Sequence, residues 1–561
     1  MGRERGCDVS GESSEQGRLA KGVASLAAAR GTGLGLSLCV SYLLASTLGA
    51  GVATDAFFLV RRLTRSLSTA LDRALLTIYV PPIVRVARQR GRAEVARLLR
   101  SHLARILAPG LLCAAALGLF APWVVKAFGP GFGPERAELA ASLLRVLGLL
   151  VPVALAAALA TGLLNALRWF GRPAFAAELP RVAMILVLLL LIPPLGVEAL
   201  AWALLGGSAL AVLVLVFPVR AALRGVSEPE ALERGDSAGD LHAHDGPPVA
   251  AEREGLGLQG RALPMGLAQV HNQGSVWIDV AFASTLGVGL VSVLEYSTRL
   301  TGLVPGIVSG SLITVTYTEL SHRAAESGQG APVRPHVAGT LRALLFLMLP
   351  VLVFLGVGAD RIVSILLEHG AFSAKAAAQT ASVVRWLGPA IVLSAMINTL
   401  VTALFVSASP ATSRAIGALA FASLCTRAAV IAVLIPHLGI IAIPVGAGLA
   451  MTVGLLVACL FYSAQWGALV TRSDLVGMLG SLVGAAAMAA VMLGLGRLWQ
   501  GVEGESLMAA FLGLGILGGS GGLAYVGVAA TLRLEEFEVI RRAIARRLAP
   551  RPRRAAREGV E

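Results

Sequence analysis

The sequence predicts an all-α polytopic membrane protein of about fourteen spanning helices, in two six-helix lobes followed by two C-terminal helices. Three observations predict it. Of 561 residues, 56% are hydrophobic and 14% charged, with a mean hydropathy of +0.77, which is too apolar for a soluble multidomain chain. Apolar runs near the length a bilayer requires recur along almost the whole chain. The basic residues fall in short clusters between those runs, alternately rich and poor, which is the positive-inside pattern of cytoplasmic loops. The net charge of +14 therefore reads as loop charge. No basic and aromatic residues interleave as they would on a nucleic-acid surface, so no nucleic acid is expected as a partner.

Taken in order, residues 1–21 form a polar tail rich in Gly, Ser, Glu and Arg, expected to be disordered and cytoplasmic. It lacks the usual form of a cleavable signal peptide, so the first apolar run is expected to insert directly. The first lobe, 22–222, holds runs at about 31–48, 52–82, 103–127, 139–166, 173–193 and 197–222. A polar break at 223–261 is expected to be a cytoplasmic linker. It contains His242 and His244, which lack a cysteine or third histidine nearby to complete a metal site. The second lobe, 262–466, holds runs at about 262–290, 291–319, 340–358, 383–407, 414–435 and 438–463. Two further runs lie in 467–531, and the tail 532–561 is acidic and then rich in arginine, as expected of a helix on the inner membrane surface. The five cysteines form no CxxC pair and suggest neither disulfide nor metal.

Orientation follows span by span. With the N-terminus inside, the inner segments hold Arg85, Arg88, Arg90, Arg92, Arg97 and Arg100, then Arg168 and Arg172, Arg220 and Arg224, Arg323 and Arg334, Arg414 and Arg472. The outer loops hold Lys126 and Arg136, Arg361 and Lys375, and Arg497. The alternation places both termini in the cytoplasm. The first six runs and the next six also read as two copies of one unit, because Arg62-Leu-Thr64 in the second run recurs as Arg299-Leu-Thr301 in the eighth.

No GxSxG, HExxH or P-loop pattern appears, so no enzyme chemistry is expected. The candidates are charges inside apolar runs, each costly there and so a functional hypothesis. The second run carries Asp55, Arg61, Arg62, Arg65, Asp72 and Arg73; helical period places Asp55 and Arg62 on one face, with Arg65 beside Arg62. The seventh has His271, Asn272, Gln273 and Asp279, and the eighth Glu295 and Arg299 at i,i+4. A cavity lined by Arg62, Arg65 and Arg299 suits a phosphate-bearing substrate, since the guanidinium fork binds phosphate oxygens in pairs. Asp55, Glu295, Asp279 and Asn272 are the accompanying polar or coupling residues. The other reading is structural: salt bridges that lower the cost of insertion, and arginine heads reaching the interface. Gly515 and Gly519, a GxxxG in the last run, are expected to pack helices tightly.

Several stretches resemble the MurJ/MviN lipid II flippases of the multidrug/oligosaccharidyl-lipid/polysaccharide exporter superfamily. They are Gly49-Ala-Gly-Val-Ala-Thr-Asp-Ala-Phe-Phe58, Ala121-Pro-Trp-Val-Val, Gly129-Pro-Gly-Phe132, Leu164 through Phe175, Asp279-Val-Ala-Phe-Ala-Ser284, Ser292 through Tyr296 with Arg299-Leu300, and His369-Gly-Ala-Phe-Ser373. The resemblance runs from about residue 25 to 465. It implies a MurJ/MATE-like fold and alternating access to a central cationic cavity. It further implies translocation of lipid II, a lipid-linked peptidoglycan precursor, across the bacterial inner membrane. No cofactor is implied; a coupling ion or the membrane potential would drive the cycle. The implied partners are the lipid-linked glycan, the phospholipid bilayer and proteins of cell-envelope synthesis.

The chain also departs from the family. Val40 and Ser41 stand at the first helix's Arg-Asp pair and Leu34 at an earlier arginine. Thr64 through Thr69 and Arg73-Ala74 replace a Pro-Asn-Leu-Leu-Arg-Arg stretch and a Glu-Gly. Thr298-Arg299 replaces an Asp-Arg, and Phe405 through Pro410 and beyond replaces a Tyr-x-Arg-x-Asp motif. Asp55 and Arg299 survive. These departures keep two alternatives open: a flippase for another undecaprenyl-diphosphate-linked polysaccharide unit, and a non-transporting membrane scaffold derived from the fold.

Overall fold

The computed structural model describes residues 31–89, 92–166, 169, 171–190, 192–224, 250–302, 334–406, 411–499 and 507–548. Among them the regular elements are helices. The first series is α1 (Gly31–Leu48), α2 (Val52–Gln89), α3 (Arg92–Leu119), α4 (Ala121–Phe128), α5 (Pro134–Leu147), α6 (Leu150–Ala166), α7 (Gly171–Ala176), α8 (Leu179–Leu190) and α9 (Ile192–Arg224). Next come α10 (Ala250–Thr285) and α11, described over 290–302. The chain continues with α12 (Arg334–Val357), α13 (Ala359–Leu367), α14 (Ala374–Val406) and α15 (Ala411–Leu438). After a 3₁₀ turn (Gly439–Ile441) follow α16 (Ala442–Trp466), α17 (Arg472–Trp499), α18 (Leu507–Thr531) and α19 (Glu535–Leu548).

Nine stretches among the described residues are long and apolar enough to cross a bilayer, or ten if a bent pair counts as one. One of the nine, Thr412–Trp466, contains both α15 and α16. The runs expected at 52–82 and 262–290 are helical too, the second as far as Thr285, but α2 and the latter part of α10 carry the polar residues of interest and are less apolar than the nine. The run at 291–319 is described only to 302. The expected tail 1–21, His242 and His244, and the arginines beyond 548 lie outside the described residues. Within the expected polar break, α10 begins at Ala250, where Ala, Glu, Leu, Gln and Arg supply helix propensity without apolar periodicity.

Interruptions have local causes. Gly196, at φ 64°, kinks α9 near its start. The α3–α4 pair bends by 83° after Leu119, with Pro122 just inside the new helix. Pro109, Pro350 and Pro389 sit inside long helices, where each removes a backbone hydrogen bond.

The chain forms two compact units. The first comprises Met1–Gly257 together with Asn272–Tyr296 and Leu366–Gln379. Its core is the run Ala56–Val60 of α2, at most 2% exposed, packed with α5 and α6. Leu164, Ala176, Ala211 and Leu215 form a second cluster where α6, α7 and α9 meet. Large apolar side chains also point outward, including Leu112, Leu213 and Phe217, as expected of a surface whose solvent is lipid. The second unit comprises Leu258–His271, Ser297–Ile365 and Thr380–Glu561. One of its cores joins Leu341, Ile397, Leu400, Leu419, Met451 and Tyr462; another, near its C-terminal end, joins Phe346, Met488, Met492, Leu517, Tyr525 and Leu534.

Among the described residues the GxxxG glycines are not packed: none comes within 4 Å of where a Cβ would stand at Gly515 or Gly519. The close approach is made one face round, where a Cβ at Gly518 would fall 2.7 Å from the Phe354 ring and one at Gly521 2.7 Å from Met492 Cγ. The last run has glycine on both faces of its helix, and sequence spacing alone does not say which face meets a neighbour.

Candidate functional site

The candidate site lies in the first compact unit and is built around Asp55, in the first turn of α2 and fully buried. Its carboxylate works on another helix. Oδ2 accepts the Gly289 N–H at 2.7 Å, and Oδ1 accepts the Ser292 N–H at 2.8 Å and the Ser292 hydroxyl at 2.7 Å. Gly289 and Ser292 flank the start of α11, so Asp55 supplies the acceptors that the N-terminal N–H groups of that helix lack, and its negative charge sits at the positive end of the helix dipole. The bonds tie residues 234 and 237 positions apart in the chain.

Arg136 of α5 is the counter-charge. Its Nη1 lies 3.6 Å from Asp55 Oδ2 and donates to the Gly287 carbonyl at 3.1 Å, while Nη2 donates to the Gly131 carbonyl at 3.0 Å. The guanidinium also stacks 4.8 Å over the Phe132 ring. One planar fork thus joins the turn before α5 to the turn before α11, a geometry that a lysine cannot copy. The Gly131 N–H donates to Ser284 Oγ at 3.1 Å, closing the same junction.

A close-packed seam continues beside the carboxylate. The Ala371 N–H donates to the Ser46 carbonyl at 2.8 Å. Gly49 and Gly289 have φ of 63° and 87°, and a Cβ on either would collide with the backbone, at the Ala371 carbonyl and the Ala50 carbonyl respectively. Only glycine meets both demands. Tyr296, 1% exposed, donates to the Gly49 carbonyl at 3.4 Å and stands edge-on between Phe58 and Phe372, each at 5.3 Å. Segments from both ends of the chain's first unit, 46–58 and 287–296, are therefore locked together with 370–372.

Two turns along α2, Arg62 Nη1 lies 3.3 Å from Glu295 Oε2, with both side chains less than one-fifth exposed. Asp55 and Arg62 thus face the same helix, α11. Arg61 stacks on Phe57 at 5.9 Å, and Arg65 is exposed. Asp279 is buried in α10, and Asn272 is exposed. Arg299, half-buried, belongs to the second unit. There, His271 Nδ1 lies 2.9 Å from Ser423 Oγ, and Arg427 is buried in α15. Val40 and Ser41, standing where the resemblance leads one to expect a charged pair, are both buried, and the Ser41 hydroxyl is spent on the Ser37 carbonyl at 2.9 Å. Among the described residues, no three His, Cys, Asp or Glu side chains gather to hold a metal.

The sequence marks Asp55 and Glu295 but not their setting. Arg136 reads as outer-loop charge, although its position just after Gly129-Pro-Gly-Phe132 ties it to a tight turn. Ser292 enters the resemblance through the stretch Ser292–Tyr296 but without a role, and Gly289 carries no signal of its own.

The family model for "Lipid II flippase MurJ" matches residues 44–512. Among curated proteins, the lipid II flippase MurJ of Burkholderia cenocepacia is 27% identical over 340 residues, covering 59% of this chain and 62% of that protein. The probable lipid II flippase MurJ of Buchnera aphidicola subsp. Acyrthosiphon pisum is 24% identical over 339 residues, with the same two coverages. The chain thus spans a little under two thirds of the length of these relatives. Among solved structures, one described as lipid II flippase MurJ in an inward closed conformation superposes with a TM-score of 0.67 at 17% identity, covering 93% of this chain and 99% of that one. An inward-facing multidrug-resistance MATE transporter of the MOP superfamily superposes with a TM-score of 0.60 at 18% identity, covering 77% and 95%. These two likenesses concern the fold.

Proposed function

The chain belongs to the MurJ family of lipid II flippases, and from that premise we propose that it translocates a lipid-linked peptidoglycan precursor across the bacterial inner membrane by alternating access. The observation that carries the proposal is the Asp55-centred junction, found in a multi-pass chain of this family. The loops that meet there, at 49–51, 129–133, 286–289 and 368–373, are those the charge alternation assigns to the outer side. With both termini in the cytoplasm, as we propose, their closure supports a state in which this junction is shut on the outer side. Transport requires that this seal open, and a seal made of short hydrogen bonds, one ion pair and glycine contacts is bistable in the way that packed interfaces are.

Arg62 and Arg65 are the cations we assign to the substrate's diphosphate, with Arg299 as a third candidate tested separately. Arg62 is held near Glu295 until a phosphate, with more acceptor oxygens and more charge, competes for it. Asp55 acts on the closure rather than on the substrate. A coupling ion or the membrane potential would bias the two states.

The buried, uncharged Val40 and Ser41 favour one alternative, a flippase for another undecaprenyl-diphosphate-linked unit, because they remove charge from the first helix. Complementation separates the readings. The chain and its Asp55→Ala, Arg62→Ala and Arg299→Ala variants would be expressed at matched membrane abundance in a bacterium depleted of its own lipid II flippase. Rescue by the wild type, with loss in Asp55→Ala and Arg62→Ala, is the expected result. Failure of well-inserted wild type to rescue overturns lipid II as the substrate in that host and directs the test to another carrier-linked glycan.

A further inference from the structure

The C-terminal helix α19 is held away from solvent at one end and presented at the other. Its approach is fixed by the end of α18. Leu534 N–H donates to the Ala529 carbonyl at 3.0 Å and Arg533 N–H to the Ala530 carbonyl at 3.2 Å, with Arg533 at φ 51°. This is the paired-bond stop that usually takes glycine. Leu534, 6% exposed, and Phe537 then pack into the cluster of Phe346 and Tyr525. The acidic first turn is clamped by Arg342 of α12: Nε donates to Glu536 at 2.7 Å, Nη2 to Glu535, and Nη1 to Asp474 at 3.2 Å. Arg342 and Glu536 are 12% and 9% exposed. Asp474 is itself fixed at the start of α17, where it accepts the Thr471 N–H at 2.8 Å.

Beyond the clamp the character inverts. Val539 and Ile540 are 65% and 39% exposed, beside exposed Arg541 and Arg542. Arg541 donates to Glu538 at 2.7 Å. Arg546 and Arg547 follow in the same helix, and Arg551, Arg553, Arg554 and Arg557 follow in sequence. All this begins within four residues of Thr531, where the apolar span of α18 ends. Exposed Val539 and Ile540 followed by exposed Arg541 and Arg542 close to the end of a span fit one solvent, the headgroup layer of a bilayer, where methyl groups enter the acyl boundary and guanidinium groups meet phosphate.

We propose that α19 is a docking surface for anionic phospholipid headgroups, anchored to the protein by Arg342 and bound to the leaflet through the exposed Val539, Ile540, Arg541 and Arg542. The acids at one end and arginines at the other divide the two tasks. Each arginine near an anionic surface adds roughly fivefold to the affinity, so two give on the order of twentyfold.

The test uses the full chain in nanodiscs of phosphatidylcholine, with or without phosphatidylglycerol, read by amide hydrogen exchange over 535–548 and by retained lipid in native mass spectrometry. The expected result is slower exchange at 539–548 and preferential retention of phosphatidylglycerol. Both are lost in R541E/R542E, whose exchange in the spanning helices stays native. Arg342→Ala should raise exchange at 535–538 in neutral nanodiscs while phosphatidylglycerol still protects 539–548. Equal exchange in the two compositions overturns the proposal. So does equal protection by inorganic phosphate in neutral nanodiscs, which would make the site one for a free anion, and so does unchanged lipid retention in the double variant.

Discussion

Asp55→Asn is the sharpest change at the scale of one residue. The amide keeps the size of the carboxylate but turns one acceptor into a donor, and both oxygens of Asp55 face N–H or O–H groups. One donor then faces another in a buried place, and Arg136 loses its counter-charge; leaving a buried partner unsatisfied costs about 1–3 kcal/mol. The expected outcome is faster amide exchange at Gly289 and Ser292, roughly tenfold or more, with the rest of α11 unchanged. Native exchange at those two amides would show that Asp55 does not hold the helix start. Arg62 and Glu295 pose a different question, because the pair can be structure or a resting place for a substrate cation. If it is only structure, removing both charges together restores membrane abundance and activity that either single Ala variant loses, since the orphaned charge is what harms the fold. If Arg62 also serves the substrate, R62A/E295A recovers abundance but not rescue of growth, which is the expected result.

Elements differ in how far the sequence disclosed them. Long apolar runs announced their helices, and the charges inside the second run announced that α2 is special. The partner of those charges stayed hidden because Gly289, just ahead of α11, lies 234 residues beyond Asp55 and the receiving groups include backbone N–H, which nearly every residue has. Arg136 was visible as a charge but not as a fork across two turns, since that role depends on where two carbonyls lie in space. The α18 glycines make the same point, and they can be tested. Gly518 meets the Phe354 ring, while Gly515 meets nothing among the described residues. Gly518→Leu should destabilise the α12–α18 contact by about 1–3 kcal/mol, read as a lower melting temperature in detergent. Gly515→Leu should remain within about 0.5 kcal/mol of the wild type. The reverse order would mean that the GxxxG face is the packed one.

For the whole molecule, the proposed transport makes a demand that a scaffold would not. The seam joining 46–51, 287–296 and 370–372 must part once in every cycle, so holding it shut must stop transport without harming the fold. Ser46 and Ala371 are joined by a backbone hydrogen bond of 2.8 Å. In a chain cleared of its native cysteines, S46C/A371C should therefore react efficiently with a short bifunctional thiol reagent. The bridged protein should elute and melt like the wild type, because the bridge repeats a contact already present. It should nevertheless lose the ability to sustain growth in the flippase-depleted host, with either single cysteine variant retaining it under the same reagent. A cleavable form of the reagent, reversed by reductant, should restore rescue. A bridged protein that still supports growth would show that the Asp55 junction is permanent architecture. Substrate would then have to cross by a route that leaves it closed, and the glycines at 49 and 289 would be explained by packing alone.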